Sequence, residues 1–275
     1  MQVEAGLNLE LLDNQGWDSR IEGVQVGTLV RSHLIYTQNF TVIYDTLLGP
    51  LSGDFLAQRV QQRAPEKPVL VVVSHSDWDH YWGNQCFSCP ILGLDLAAQR
   101  ILGEFGAGEL AQKSLEDPSY AQVRLVAPNV RLQGEFSLHG GDLTLQLLHT
   151  PGHRPDHLAL YIPEIATLLP GDAVETPFAL LDEGQPATQL AAMQTTLQRL
   201  LELDIHWLLC NHAPPQAGKA LVESNLAYYR GLIEAARTSD SLDLMLQCFP
   251  YTGPADQDFY RKDHERICAA AWEAR

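Results

Sequence analysis

The chain has 275 residues, enough for one large domain or two small ones with a sizeable core. Its 18 Lys and Arg are outnumbered by 34 Asp and Glu, for a formal charge of −16, and no Lys/Arg run is visible; a broad basic face for a polyanion is excluded, and nucleic acid is not an expected partner. The start, Met1-Gln2-Val3-Glu4-Ala5, offers neither a basic segment nor an apolar stretch for export, and no run approaches the ~18 apolar residues of a membrane span, so a cytoplasmic location without membrane contact is expected.

In chain order, residues 24–36 and 40–46 read as strands joined by a hairpin turn at Thr37-Gln38-Asn39, and the second ends at Asp45. Helical spacing places Phe55, Leu56 and Val60 on one face of residues 54–64, stopped by Pro65. The strand at 68–74 runs straight into His75-Ser76-Asp77-Trp78-Asp79-His80. Residues 95–105 and 110–115 read as helices, and 123–126, 143–148, 157–162 and 167–169 as strands. Residues 187–203 read as a helix carrying Leu190, Met193, Leu197 and Leu201. After Pro214-Pro215 the pattern is helical, with amphipathic stretches at 221–237 and 259–274 expected to pack on the core. Strands alternating with helices point to sheets flanked by helices, an α/β (α+β) class.

The chemistry sits just past the strand ends. H-x-D-x-D-H should arise by chance in roughly 0.2% of chains of this composition. His75, Asp77, Asp79 and His80 are imidazole and carboxylate ligands close enough in sequence to converge on a divalent ion. Further strand-like runs each deliver one more donor: Thr150-Pro151-Gly152-His153, Pro170-Gly171-Asp172 and Cys210-Asn211-His212. Loops on a rigid scaffold are where sheet proteins build sites. Cys86-Phe87-Ser88-Cys89 lacks a partner pair and reads as simple buried thiols.

Asp45, the His75–His80 cluster, His153, Asp172 and His212 together resemble the five ordered motifs of the metallo-β-lactamase superfamily over roughly residues 20–215. The chain departs at Asp77, where the family's usual H-x-H-x-D-H carries a second histidine; similar H-x-D-x-D-H variants occur in nuclease domains of bacterial DNA-uptake channels. The resemblance implies a four-layer αββα sandwich with the site at one edge, and a helical extension over 216–275. It implies two divalent ions, one on His75, Asp77 and His153, the other on Asp79, His80 and His212, with Asp172 between them and Asp45 supporting from behind. The expected activity is hydrolysis by a metal-bridged hydroxide, with Asp79 and Asp45 in the catalytic set. Small acyl esters, thioesters or lactones are the expected substrates, as in thioesterases of the glyoxalase II type; phosphodiester hydrolysis, or metal binding without turnover, is the alternative. An added carboxylate at Asp77 favours harder ions, so Mn²⁺ or Fe²⁺ stands beside Zn²⁺.

Arg154 is a candidate anchor for a substrate carboxylate and His157 for a supporting role, each weighed against an ordinary loop or strand residue. Trp78, Tyr81 and Trp82 either line the pocket or pack in the core. His33, His139, His149, His206 and His264 match no motif and read as structural.

Overall fold

A computed structural model describes residues 8–182, 186–254 and 257–275; the start read above for an export signal lies outside the described residues. The first sheet runs in the order β1 (Leu9–Leu11), β2 (Ile21–Val26), β3 (Val30–Tyr36), β4 (Thr41–Tyr44), β5 (Val69–Val72), β6 (Ile91–Leu94) and β7 (Val130–Leu132). Its first four strands are antiparallel, while β4 to β7 are parallel. The second sheet comprises β8 (Phe136–His139), β9 (Thr144–His149), β10 (Leu158–Ile162), β11 (Thr167–Leu169), β12 (Trp207–Leu208) and β13 (Gln216–Ala217), neighbouring in sequence order.

Period-two alternation builds the layers. In β4, Val42 and Tyr44 face the second sheet, and Ile43 faces the helices α1 (Pro50–Arg63), α3 (Asp95–Leu102) and α4 (Glu104–Glu116). In β10, Leu158, Leu160 and Ile162 face the first sheet. Ala159 and Tyr161 face a second helical layer of α5 (Pro186–Leu201), α6 (Ala220–Thr238), α7 (Leu242–Cys248) and α8 (Asp258–Glu273). The one-turn α2 (Trp78–Tyr81) carries part of the His/Asp cluster. Three apolar layers between four structural ones make the αββα sandwich.

Some expected boundaries change. Residues 24–36 are two strands of a hairpin, turned at Gly27, whose φ of 54° is the left-handed conformation glycine adopts without strain. Residues 123–126 form a loop rather than a strand: Val123 packs in the first sheet's outer core, but pairing with β6 begins only at Val130, past Pro128, which has no backbone N–H to give. The helix expected over 95–105 stops at Gly103 and restarts as α4.

Candidate metal centre

The donors gather where the two sheets meet, at the C-terminal ends of strands that run the same way within each sheet. Asp45 follows β4 and His75 follows β5; His153, Asp172 and His212 follow β9, β11 and β12. This is the edge at which open α/β sheets present ligand groups. Hydrogen bonds lock the sheets together there. Tyr44 Oη donates to the Leu158 carbonyl (2.7 Å), the Leu158 amide to Ser74 O (2.7 Å), and Asn211 Nδ2 to Arg31 O (2.8 Å).

Each of the four histidines has its Nδ1 engaged. His80 Nδ1 meets Asp45 Oδ2 at 2.8 Å and His212 Nδ1 meets Leu29 O at 2.7 Å. His153 Nδ1 meets Leu180 O at 3.1 Å, and His75 Nδ1 meets Ser74 Oγ at 2.9 Å. A carbonyl or carboxylate on Nδ1 places the proton there and leaves Nε2 with a bare lone pair. Ser74 Oγ donates to Asp45 Oδ2 (2.7 Å), so it accepts from His75. Four Nε2 atoms therefore point inward, and the His75 Nε2 is buried without a hydrogen-bond partner. An orphaned buried acceptor is costly unless something unseen satisfies it.

Asp172 Oδ2 is the hub. It lies 3.1 Å from His80 Nε2, 3.3 Å from His212 Nε2, and 3.6 Å from both His75 Nε2 and His153 Nε2, while Asp172 Oδ1 has no partner. On one side His75, Asp77 and His153 offer ligand atoms within 4.8 Å of one another, and on the other Asp79, His80 and His212 do so. These are the two triads expected from the motifs. Convergent imidazole and carboxylate donors with orphaned buried atoms fit divalent ions.

Electrostatics agree. Burial lowers the pKa of His80 and of His212, but Asp172 and the neighbouring carboxylates outweigh it and push both well above the usual imidazole range. Burial alone would raise Asp77 and Asp172; Arg154 and His75 hold the first, and His212 and His80 the second, well below the carboxylate range. The negative potential that lets His80 and His212 hold a proton on Nε2 also draws a cation, which would take that proton's place.

Asp45 is fully buried and accepts from the Ser74 amide and hydroxyl (both 2.7 Å), from His80, and from Asn211 Nδ2 (2.9 Å). It stands behind His80, outside both triads. It adopts φ 65°, a left-handed conformation that Asp and Asn tolerate better than other side chains.

His157 has no nitrogen to spare: Nε2 accepts from the Asp172 amide (3.0 Å), and Nδ1 donates to Thr150 Oγ1 (2.7 Å). It is fully buried behind the donors and supports the Asp172 backbone; it does not reach the cavity as a substrate contact would. Gly171 makes room for it, since a Cβ there would lie 2.5 Å from His157 Nε2. Arg154 lines the cavity, but its Nε donates to both oxygens of Asp77, at 2.6 and 2.9 Å, and Nη1 lies 3.2 Å from Asp182 Oδ1. It is neither a solvated loop residue nor a free anchor, and it cancels much of the charge that Asp77 brings.

The cavity over the donors measures about 260 Å³. Its walls include Trp78, Leu180, Leu181 and Phe259, with Glu109, Lys113, Glu175 and Tyr260 among the polar groups. Trp78 faces this space, with Lys113 Nζ 4.8 Å above its ring, whereas Tyr81 and Trp82 are fully buried in the first sheet's outer core. His33, His139, His149, His206 and His264 do not line it. Cys86 and Cys89 are half-buried rather than buried, and neither belongs to the groups of convergent donors.

Sequence reasoning missed Ser74 and Asn211, both next to a donor histidine, where a polar residue beside a ligand was the available signal. It also missed Glu175, whose buried carboxyl is pushed up to about 7 by burial and then by Asp172, and Tyr260, which donates to Glu175 Oε2 at 2.8 Å. Tyr260 lies 85 positions further on and carried no local signal.

A two-sheet sandwich flanked by helices, with histidines and aspartates gathered at the sheet edge, defines a metal-binding αββα protein. The metallo-beta-lactamase superfamily model matches residues 27–212, and the chain belongs to that family. A stretch of 101 residues is 30% identical to an N-acyl homoserine lactonase of Bacillus sp., covering 36% of this chain and 34% of that protein. Another, of 150 residues, is 28% identical to a nitric oxide reductase of Moorella thermoacetica, covering 54% of this chain and 34% of that one. The matches span about a third of the length of these curated relatives. Among solved structures, a metallo-beta-lactamase family protein from Thermus thermophilus aligns with a TM-score of 0.63 at 19% identity, over 97% of this chain and 92% of that one. A sec-alkylsulfatase from Pseudomonas sp. aligns at 0.65 and 16% identity, over 96% and 50%. These structures share the fold.

Proposed function

We propose that this protein is a hydrolase of small acyl compounds, a lactone, ester or thioester, working with two divalent ions on the paired triads. The observation that carries this reading is the convergence of four Nε2 atoms and three carboxylates on the floor of one cavity. Bound there, divalent ions supply Lewis acidity and lower the pKa of water toward neutrality. The chain's own contribution is orientation. Asp45, Ser74, Leu29 and Leu180 fix the imidazole tautomers, and partners of this kind also raise ligand basicity.

The cavity favours an acyl substrate. Trp78, Leu180, Leu181 and Phe259 offer apolar wall for a carbon chain. The partial likeness to an N-acyl homoserine lactonase points the same way.

The test is a panel of lactones, p-nitrophenyl acyl esters, thioesters and phosphodiesters, each with Zn²⁺, Mn²⁺ or Fe²⁺ added to chelator-stripped protein. Acyl turnover that depends on added metal is expected. Turnover of phosphodiesters alone, or binding of metal with no turnover, would replace this reading.

A further inference from the structure

Asp77 stands where the usual motif has an imidazole, and its carboxylate is shared. One face meets the donors, with Oδ2 at 3.5 Å from His75 Nε2 and 3.2 Å from His153 Nε2. The other face receives Arg154 Nε. The guanidinium is clamped. It reaches Asp182 at 3.2 Å, and it lies over the Phe105 ring (5.4 Å to the centroid), which Arg100 also covers at 3.9 Å. Arg100 in turn pairs with the buried Asp156 at 3.2 Å. Arg154 is thus a fixed positive charge beside one triad. Asp79, in the other triad, pairs with His80 and His212, and among the described residues no arginine is set against it.

We propose that Arg154 is a positioning residue for Asp77 that makes the His75, Asp77 and His153 position the weaker of two cation positions, so that the centre fills in two separate steps. The inference rests on the metal-binding reading above. A guanidinium stays charged at every relevant pH. It turns a carboxylate ligand into one whose charge resembles that of the imidazole it replaces, and it adds direct repulsion of an incoming dication. A unit charge a few ångströms away at an effective dielectric near 20 changes cation affinity by about tenfold or more. The Asp79, His80 and His212 position feels this charge less, because it is further from Arg154 and keeps its carboxylate uncancelled.

The test is calorimetric titration of Zn²⁺ into the full chain after chelator dialysis. Two steps separated by about tenfold or more are expected. His153→Ala should remove the weak step and His212→Ala the strong one. Arg154→Met should tighten the weak step by about tenfold or more and leave the strong step unchanged, while Arg154→Lys stays near the parent. A purely structural role would weaken both steps in Arg154→Met and would not be rescued by lysine. Asp182→Asn, which leaves the guanidinium's charge to Asp77 alone, should weaken the weak step further and serves if Arg154→Met fails to fold. Two equal steps unmoved by Arg154→Met or Asp182→Asn would overturn the proposal alone. A folded parent protein that binds no divalent ion would overturn the functional reading with it.

Discussion

Replacing Asp45 by asparagine should cost this protein its metal centre while leaving its fold in place. The side chain keeps its shape, and φ 65° suits Asn as well as Asp, so the backbone gains no strain. Oδ1 can still accept from the Ser74 amide. The group at the Oδ2 position becomes an NH₂ facing three partners that had been using a carboxylate oxygen: Ser74 Oγ, Asn211 Nδ2 and His80 Nδ1. Asn211 Nδ2 then confronts another donor, and His80 Nδ1 must accept. The neutral His80 ring then carries its one proton on Nε2, the atom that faces the donors, and that nitrogen can no longer ligate.

Losing a charge-assisted hydrogen bond in a buried site costs about 1.5–3 kcal/mol, and the new donor conflict adds to it. Disturbing an orienting partner of this kind typically costs 10–100-fold in metal affinity, and a blocked ligand atom puts the expectation at the upper end. Metal content by elemental analysis, with ¹⁵N spectra of the His80 ring, reads both consequences. Near-parental metal affinity, or a ring still protonated at Nδ1, would refute the tautomer argument.

Other consequences can be checked separately. Asp77→His alone should destabilise the protein by about 1–3 kcal/mol in urea unfolding, because Arg154 loses its two hydrogen bonds to Asp77 and keeps only Asp182 as a carboxylate partner, and adding Arg154→Met should recover most of that; equal stabilities of the single and double variants would contradict the pairing. The Glu109 carboxyl is pushed up to about 9 by burial and then by Asp77, so its folded state favours the proton. That contribution is complete below the unfolded value of about 4.3 and is lost as pH rises toward 9, so Glu109→Gln should raise Tm at pH 8 while leaving it nearly unchanged at pH 4. Identical pH profiles for the two proteins would remove Glu109 from the account. Phe259 is 65% exposed at the cavity, so Phe259→Ala should raise KM for long acyl chains by about tenfold, the worth of 1–2 kcal/mol of apolar contact, and leave kcat in place. An unchanged KM across chain lengths would place the acyl chain elsewhere.

Features that depend on neighbours a few residues apart could be read from the chain. Period-two strands ending at Gly, Pro or Asn announce loops, and the loops carry His75 to His80, His153, Asp172 and His212, so the donors were legible in the chain, while their division into two triads was implied by the resemblance to the metallo-β-lactamase motifs. Strand 123–126 failed because apolar residues in a packed loop look like a strand when pairing partners are unknown. Helix 95–105 ran too far because its apolar spacing continues through the break at Gly103. Tertiary structure alone decided which nitrogen of each histidine is bare, since that depends on Leu29, Leu180 and Asp45, remote in sequence from the rings they orient. It also decided that His157 turns both nitrogens inward and that Arg154 belongs to Asp77. The reason is one of range: a ligand's identity is local, but its protonation, partners and competitors are set by groups that meet only when the two sheets close on each other.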